Sequence, residues 1–157
     1  MNRKRNFREE NRMKIKDKHT DNVVEILSMI LEFTDRRGKV LHDNIVNVST
    51  ENYRPGDLDA TAFADLMGKA LTEHLINDRL ILVDSEYIKF GPNGTFQAIA
   101  FTDVQACKLL AADKKQYLKY QMKKISENQR NKKAAAHLIE QKQAQKTTFT
   151  NKADTNL

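Results

Sequence analysis

From Asp21 to Thr50 apolar residues recur at helical spacing, interrupted once between Phe33 and Val40. Val23, Ile26, Leu27, Ile30 and Phe33 make one stripe, and Val40, Leu41, Ile45 and Val48 resume it beyond Arg36, Arg37 and Gly38. Gly38 costs about 1 kcal/mol relative to alanine inside a helix, which permits a bend but does not divide the segment. Thr20 or Asp21 can cap it by accepting from first-turn amides. The spacing predicts one helix over residues 21–50. Few small domains use a helix of this length, so the chain is expected to form a coiled coil or a packed array of helices.

A second periodic segment lies near the other end. Thr102 or Asp103 can cap it, and Val104, Cys107, Leu110, Ala111, Tyr117, Leu118, Gln121 and Ile125 fall near one stripe, which predicts a helix over 102–125. Residues 126–157 form a basic extension with a thin stripe of alanines, Leu138 and Ile139. It is read as helical and then disordered, with residues 147–157 a frayed tail. Residues 1–20 lack apolar periodicity and read as a disordered basic segment, or a helix that forms only on contact.

Between the two helices the period changes. Pro55 disfavours the helical region for Arg54, and Gly56 allows a positive φ, so the first helix must stop before them. Asp59 or Thr61 can start a shorter helix that buries Phe63, Leu66, Met67, Ala70 and Leu71, with Leu75 at its end. The β-branched and aromatic runs on either side of GPNG predict a hairpin over 86–101. The expected fold is therefore mainly α. Two long terminal helices pair as an antiparallel coiled coil, the insert 51–101 carries a short helix and a hairpin, and both basic termini are disordered.

A chain of 157 residues supports one domain with a single modest core. Its charge is segregated. Residues 1–20 hold eight Lys/Arg against three Asp/Glu, residues 21–113 eight against fifteen, and residues 114–146 ten against two. An acidic middle between basic ends fits solvated tails, nucleic acid, a membrane surface or acidic patches on other copies. Cys107 is the sole cysteine and the four histidines show no i, i+4 pairing, so neither a disulfide nor a metal site is expected. No run reaches the length of a membrane span, and polar residues fill the place of a signal peptide's apolar region. Asp57 and Asp59, two apart in a turn, are expected to solvate it and to cap the next helix. No nucleophile and base constellation can be assembled, so no catalytic residues are assigned.

The order LEFTDRRGKVLHDNIVNVSTENYRPGDLDATAF resembles the amino-terminal signature of bacterial flagellar axial proteins. In that family a long helix ends in an Asn-Ile-Ala-Asn, small residue, Thr-Pro-Gly-Tyr pattern. The continuation through Asp57, Leu58, Asp59 and Phe63 into LMGKAL is similar to the proximal rod proteins of the flagellar basal body. The matching positions are Arg37, Leu41, Asn44 and Ile45, then Asn47, Thr50, Tyr53, Asp57, Asp59 and Phe63. Leu110 and Tyr117, seven apart, fit the family's carboxy-terminal heptads, with Leu118 and Ile125 as further packing positions. This chain departs in having Thr50-Glu51-Asn52-Tyr53, with Pro55 and Gly56 displaced beyond the tyrosine and Val46 in place of an alanine. Asn52 can take the left-handed conformation that the family's glycine supplies.

The resemblance implies a structural subunit without cofactor or reaction. Its terminal helices would pack into the helical array of the proximal rod, the drive shaft that transmits motor torque across the periplasm. The implied partners are other rod subunits, the membrane ring and the export gate, in a homo- or hetero-oligomeric assembly. Export would use the flagellar type III apparatus, without a cleaved signal peptide. Amides at Asn44 and Asn47 would then fix register between packed helices. The residues alone leave a second reading open: Lys/Arg interleaved with Tyr117 and Tyr120 can grip a nucleic-acid backbone, although no groove-reading motif accompanies them.

Overall fold

The computed structural model describes residues 3–154, with side chains described over 22–152. It is 72% helical, with four helices and two small antiparallel sheets. Helix α1 spans Arg3–Val46, α2 Ala60–Asn77, α3 Val104–Ala112 and α4 Lys114–Asp154; the strands are β1 Gly56–Asp57, β2 Ile88–Phe90, β3 Phe96–Ala98 and β4 Phe101–Thr102.

Helix α1 passes through Gly38 without a break and places Ile26, Leu27, Phe33 and Leu41 in the interior, as its stripe requires. It begins at Arg3, not at the Thr20 or Asp21 cap, so the backbone of residues 3–20 is helical where disorder was the first expectation. It stops at Val46, four residues early, and residues 47–53 form a tight turn. Asn52 takes φ 57, the left-handed conformation expected of it.

The break between α3 and α4 corrects the expected helix over 102–125. Asp113 is extended at φ −155, and its carboxylate accepts from the amides of Lys115 and Gln116, so it caps a new helix. One non-helical residue changes the rotational phase. Val104 and Ala111, placed on the stripe by assuming continuity, are therefore exposed, while Tyr117 and Gln121 are fully buried. Helix α4 then continues to Asp154, so the tail expected to fray is helical over most of its length; residues 155–157 lie outside the described residues.

Helix α4 lies along α1 in the opposite direction. Tyr117 and Gln121 reach Asn44, Asn128 reaches the Thr34 carbonyl, and Lys132 reaches Asp35. On another side of α1, α2 and the β2–β3 hairpin close the core, where Ile26, Met29 and Phe33 meet Phe63, Met67, Ile88 and Phe96. Phe33 and Phe63 stack at 4.0 Å, and Phe96 tilts against Phe63 at 5.4 Å. Helix α2 buries Phe63, Met67 and Ala70 as expected, but His74 takes the next inward position. Leu71 and Leu75 point outward, at 38% and 70% exposure.

The hairpin pairs Ile88 with Ala98 and Phe90 with Phe96 around a 3-10 turn at Pro92–Gly94. Gly94 has φ +70, and a Cβ there would lie 2.7 Å from a Glu25 carboxylate oxygen. The other strand pair was not anticipated. Gly56 pairs with Thr102 and Asp57 with Phe101, which ties the end of the joint to the start of α3. Gly56 is thus in a strand, not at a positive φ. What suits glycine there is close approach, since a Cβ would stand 3.1 Å from the Phe101 carbonyl.

Candidate functional site

The joint after α1 gathers most of the residues that carry the resemblance. Asn44, in the last turn of α1, is fully buried and uses its whole side chain. Its amide nitrogen donates to the Gly56 carbonyl at 2.8 Å and to Gln121 Oε1 at 3.1 Å. Its amide oxygen accepts from the Tyr53 hydroxyl at 2.9 Å and from the Gly56 amide at 3.2 Å. The Tyr117 hydroxyl donates to the Asn44 carbonyl at 2.8 Å. One side chain thus pins α1, the turn, β1 and α4 together.

Below it lies a buried ion cluster. Arg37 donates to both oxygens of Asp57, at 2.8 and 3.0 Å, and Lys124 donates to Asp57 Oδ2 at 2.8 Å and also to Asp103. Arg37 and Asp57 are 5% and 4% exposed, so water screens the pair weakly. Lys124 also sits 4.5 Å over the Tyr120 ring. Asp57 therefore does not solvate the turn, as expected from sequence; it is the buried anion that two distant cations share. Asp59 does cap α2, accepting from the Ala62 amide at 2.9 Å. Asp103 likewise caps α3 through the Ala106 amide.

The remaining candidates divide into local and packing roles. Asn47 donates to the Asp43 carbonyl of its own helix and accepts from the Thr50 hydroxyl, so the two close the helix end. Leu41 and Phe63 are core residues; Ile45, Leu110, Leu118 and Ile125 are half-buried. Asn44 in this conformation is spent within the chain, and Asn47 within its own turn. Asn44 thus bonds across packed helices, to Gln121 of α4, whereas Asn47 closes its own helix end.

A surface cleft of about 790 Å³ adjoins the joint, lined by residues 48–54 with Cys107, Leu110, Ala111 and Lys114. Glu51 is the only carboxylate among its lining residues and no histidine joins it. Among the described residues no group of three or more His, Cys, Asp or Glu is placed to hold a metal ion, and no helix is long and apolar enough to cross a membrane.

Electrostatics make the joint sensitive to pH at both extremes. Burial alone would raise the Asp57 pKa, but Arg37 and Lys124 outweigh it and hold the carboxyl below its ordinary 3.8. A depressed carboxyl pKa contributes stability above the unfolded value and loses it as pH falls through the folded one. Burial pushes the Tyr117 phenol up to about 12 from 10.0, helped by nearby Tyr53 and Asp103. A raised pKa gives the opposite sign: full stability below 10.0, lost as pH rises toward the folded value. Denaturation midpoints are therefore expected to form a plateau through neutral pH, falling below about pH 4 and above about pH 10. Urea melts across that range check this, and Tyr117→Phe should flatten the alkaline limb.

The amide hub makes a second expectation. Asn44→Ala leaves the Gly56 amide and the Gln121 and Tyr53 side chains short of partners, and should cost about 2–3 kcal/mol. Asn47→Ala should stay within about 0.5 kcal/mol, since its bonds are exposed and local. Equal losses in chemical denaturation would contradict this division.

Sequence reasoning missed Lys124 and Asn128, and named Asp103 only as a helix cap and Gln121 only as a stripe position. The signal available was positional: Gln121, Lys124 and Asn128 recur at three and four residues, on the face α4 buries. Comparison with protein-family models, curated proteins and solved structures finds no match to this chain.

Proposed function

We propose that the chain is a structural subunit of the bacterial flagellar proximal rod, of the kind called basal-body rod protein B. On this reading the terminal helices pair as an antiparallel coiled coil and pack with neighbouring subunits into a hollow shaft. The role is mechanical, with no reaction, cofactor or metal. The partners are other rod subunits, the membrane ring and the export gate.

The observation that carries the reading is the convergence of the resembling residues on one joint. Arg37, Asn44, Tyr53 and Asp57 lie along 21 residues of sequence and lock the end of α1 to the turn, β1 and α4. A shaft subunit needs such a lock, because torque carried along a helix must not be lost by swivelling where the chain turns. Helix length is the second support. At 44 and 41 residues, α1 and α4 are about 66 and 61 Å long, well beyond the diameter of a compact chain of this size. Helices that outrun their own core offer side surface to neighbours.

Co-fractionation tests the proposal. A tagged chain, expressed at its native level, should purify with detergent-extracted basal bodies and stay after the outer filament is stripped. Recovery solely in the soluble fraction, with basal bodies intact, would count against it.

A further inference from the structure

A groove of about 380 Å³ runs between α2 and α4, over α1, separate from the cleft beside residues 48–54. Ile30 and Phe33 of α1 floor it, Met67 and Leu71 of α2 form one wall, and Leu138 of α4 belongs to the other. Asn128 lines the α4 wall ten residues before Leu138, so the groove extends about 15 Å along that helix. Its two ends differ. Leu138 and Ile30 make one end apolar, while Asn128 and Arg37 stand at the other, where the Asn128 amide donates to the Thr34 carbonyl at 2.7 Å about one turn from Arg37.

Arg37 and Asn128 are each 5% exposed, and each has one hydrogen-bonding atom left over. Arg37 spends Nε and Nη2 on Asp57, and among the described residues nothing accepts from its Nη1. Asn128 spends Nδ2 on Thr34, and among the described residues nothing donates to its Oδ1. Neither atom is sealed from solvent as Gln121 Nε2 is, so the little surface these residues keep opens on the groove they line. An apolar cavity of this size with a few polar groups at one end has the make-up of a small-molecule site.

We propose that the groove binds a medium-chain aliphatic molecule whose neutral head both accepts and donates a hydrogen bond, a carboxamide or an alcohol. The head accepts from Arg37 Nη1 and donates to Asn128 Oδ1, and the chain lies on Ile30, Phe33 and Leu71 toward Leu138. A carboxylate suits the site poorly. Arg37 and Lys124 are already matched by Asp57 and Asp103, so a further anion finds no unmatched cation, and its oxygens would face the Asn128 oxygen. An ammonium head would face the Arg37 guanidinium. The inference goes beyond the rod reading and does not depend on it: basal bodies that form without the chain would sink that reading and leave ligand binding untouched.

Isothermal titration calorimetry of the purified full chain with octanamide, octanol and octanoate tests it. Octanamide and octanol should bind at one site, about tenfold more tightly than octanoate, since only they satisfy both free atoms. Asn128→Leu removes the acceptor and should bring the three to within about threefold of one another. Gly68 lines the α2 wall, and a Cβ there would meet nothing within 4 Å. Gly68→Leu therefore fills the groove without a clash and is the better helix former, so it should abolish binding of all three with circular dichroism and melting preserved. It keeps the test decisive should Asn128→Leu fail to fold. Octanoate binding as tightly as octanamide, or Gly68→Leu binding like the wild type, would overturn the proposal. So would a chain that ignores octanamide but self-associates until Gly68→Leu prevents it, because a second copy would then be what fills the groove.

Discussion

Asp57→Ala is expected to cost about 3–5 kcal/mol of unfolding free energy, because it strands two cations in a site built for one shared anion. Arg37 is 5% exposed and cannot swing to water without unpacking α1 from α4, and Lys124 would keep only Asp103. The loss is a large share of the 5–15 kcal/mol that usually holds a domain together. Asp57→Asn tests the charge separately from the shape: it keeps hydrogen-bond acceptance but removes the anion, and should recover part of the loss. Replacing Asp57 and Arg37 together by apolar residues should cost less than Asp57→Ala alone. Urea denaturation followed by circular dichroism reads all three, and a cost below about 1 kcal/mol for Asp57→Ala would mean that the cluster is not the anchor of the joint.

Phe63→Ala should be as severe, at about 3–5 kcal/mol, through a different physical route. Phe63 stacks on Phe33 and touches Phe96, so it joins α2 to α1 and to the hairpin. Truncation opens a cavity that three separate elements line, and elements tied to each other elsewhere collapse into it poorly. Phe63→Leu keeps most of the apolar volume and should cost distinctly less. Because Phe63 and Asp57 belong to different clusters, the pH plateau should survive in Phe63→Leu at reduced height. It should lose its acid limb in Asp57→Asn.

The repeating parts of the fold were legible in the sequence, and the parts fixed by single residues were not. The stripe from Ile26 to Leu41, the cap at Asp59 or Thr61 and the hairpin around GPNG follow from local chemistry, the left-handed Asn52 was expected through the resemblance, and the structure has each, with Asp59 as the cap. Asp113 was hidden because a one-residue break leaves the composition of the stripe intact while turning its phase. The burial of Asp57 was hidden because its partners are 20 and 67 residues away, and an acid beside Pro55 and Gly56 ordinarily signals a solvated turn. Gln121 was placed on the buried stripe but without a polar partner, and Asn128 sits at a position that apolar counting discards, yet each bonds α1 from the buried face of α4. Strands of two residues, such as β1 and β4, carry no period to detect.

The site shows the same division. Resemblance and spacing both singled out Asn44; of its partners, Gln121 lies on a packed helix, α4, while Gly56 and Tyr53 belong to the turn and strand that follow α1. The Asn44 amide is thereby satisfied within one chain, while Gln121 Nε2 is buried beside it without a hydrogen-bond partner among the described residues.

The most direct test of the rod proposal is electron microscopy of basal bodies from the organism that encodes the chain, with and without its gene. The proposal predicts membrane rings without a proximal rod and cells that do not swim, both restored by the wild-type gene and not by Asp57→Ala. Complete rods and normal swimming in the deletion strain would contradict it.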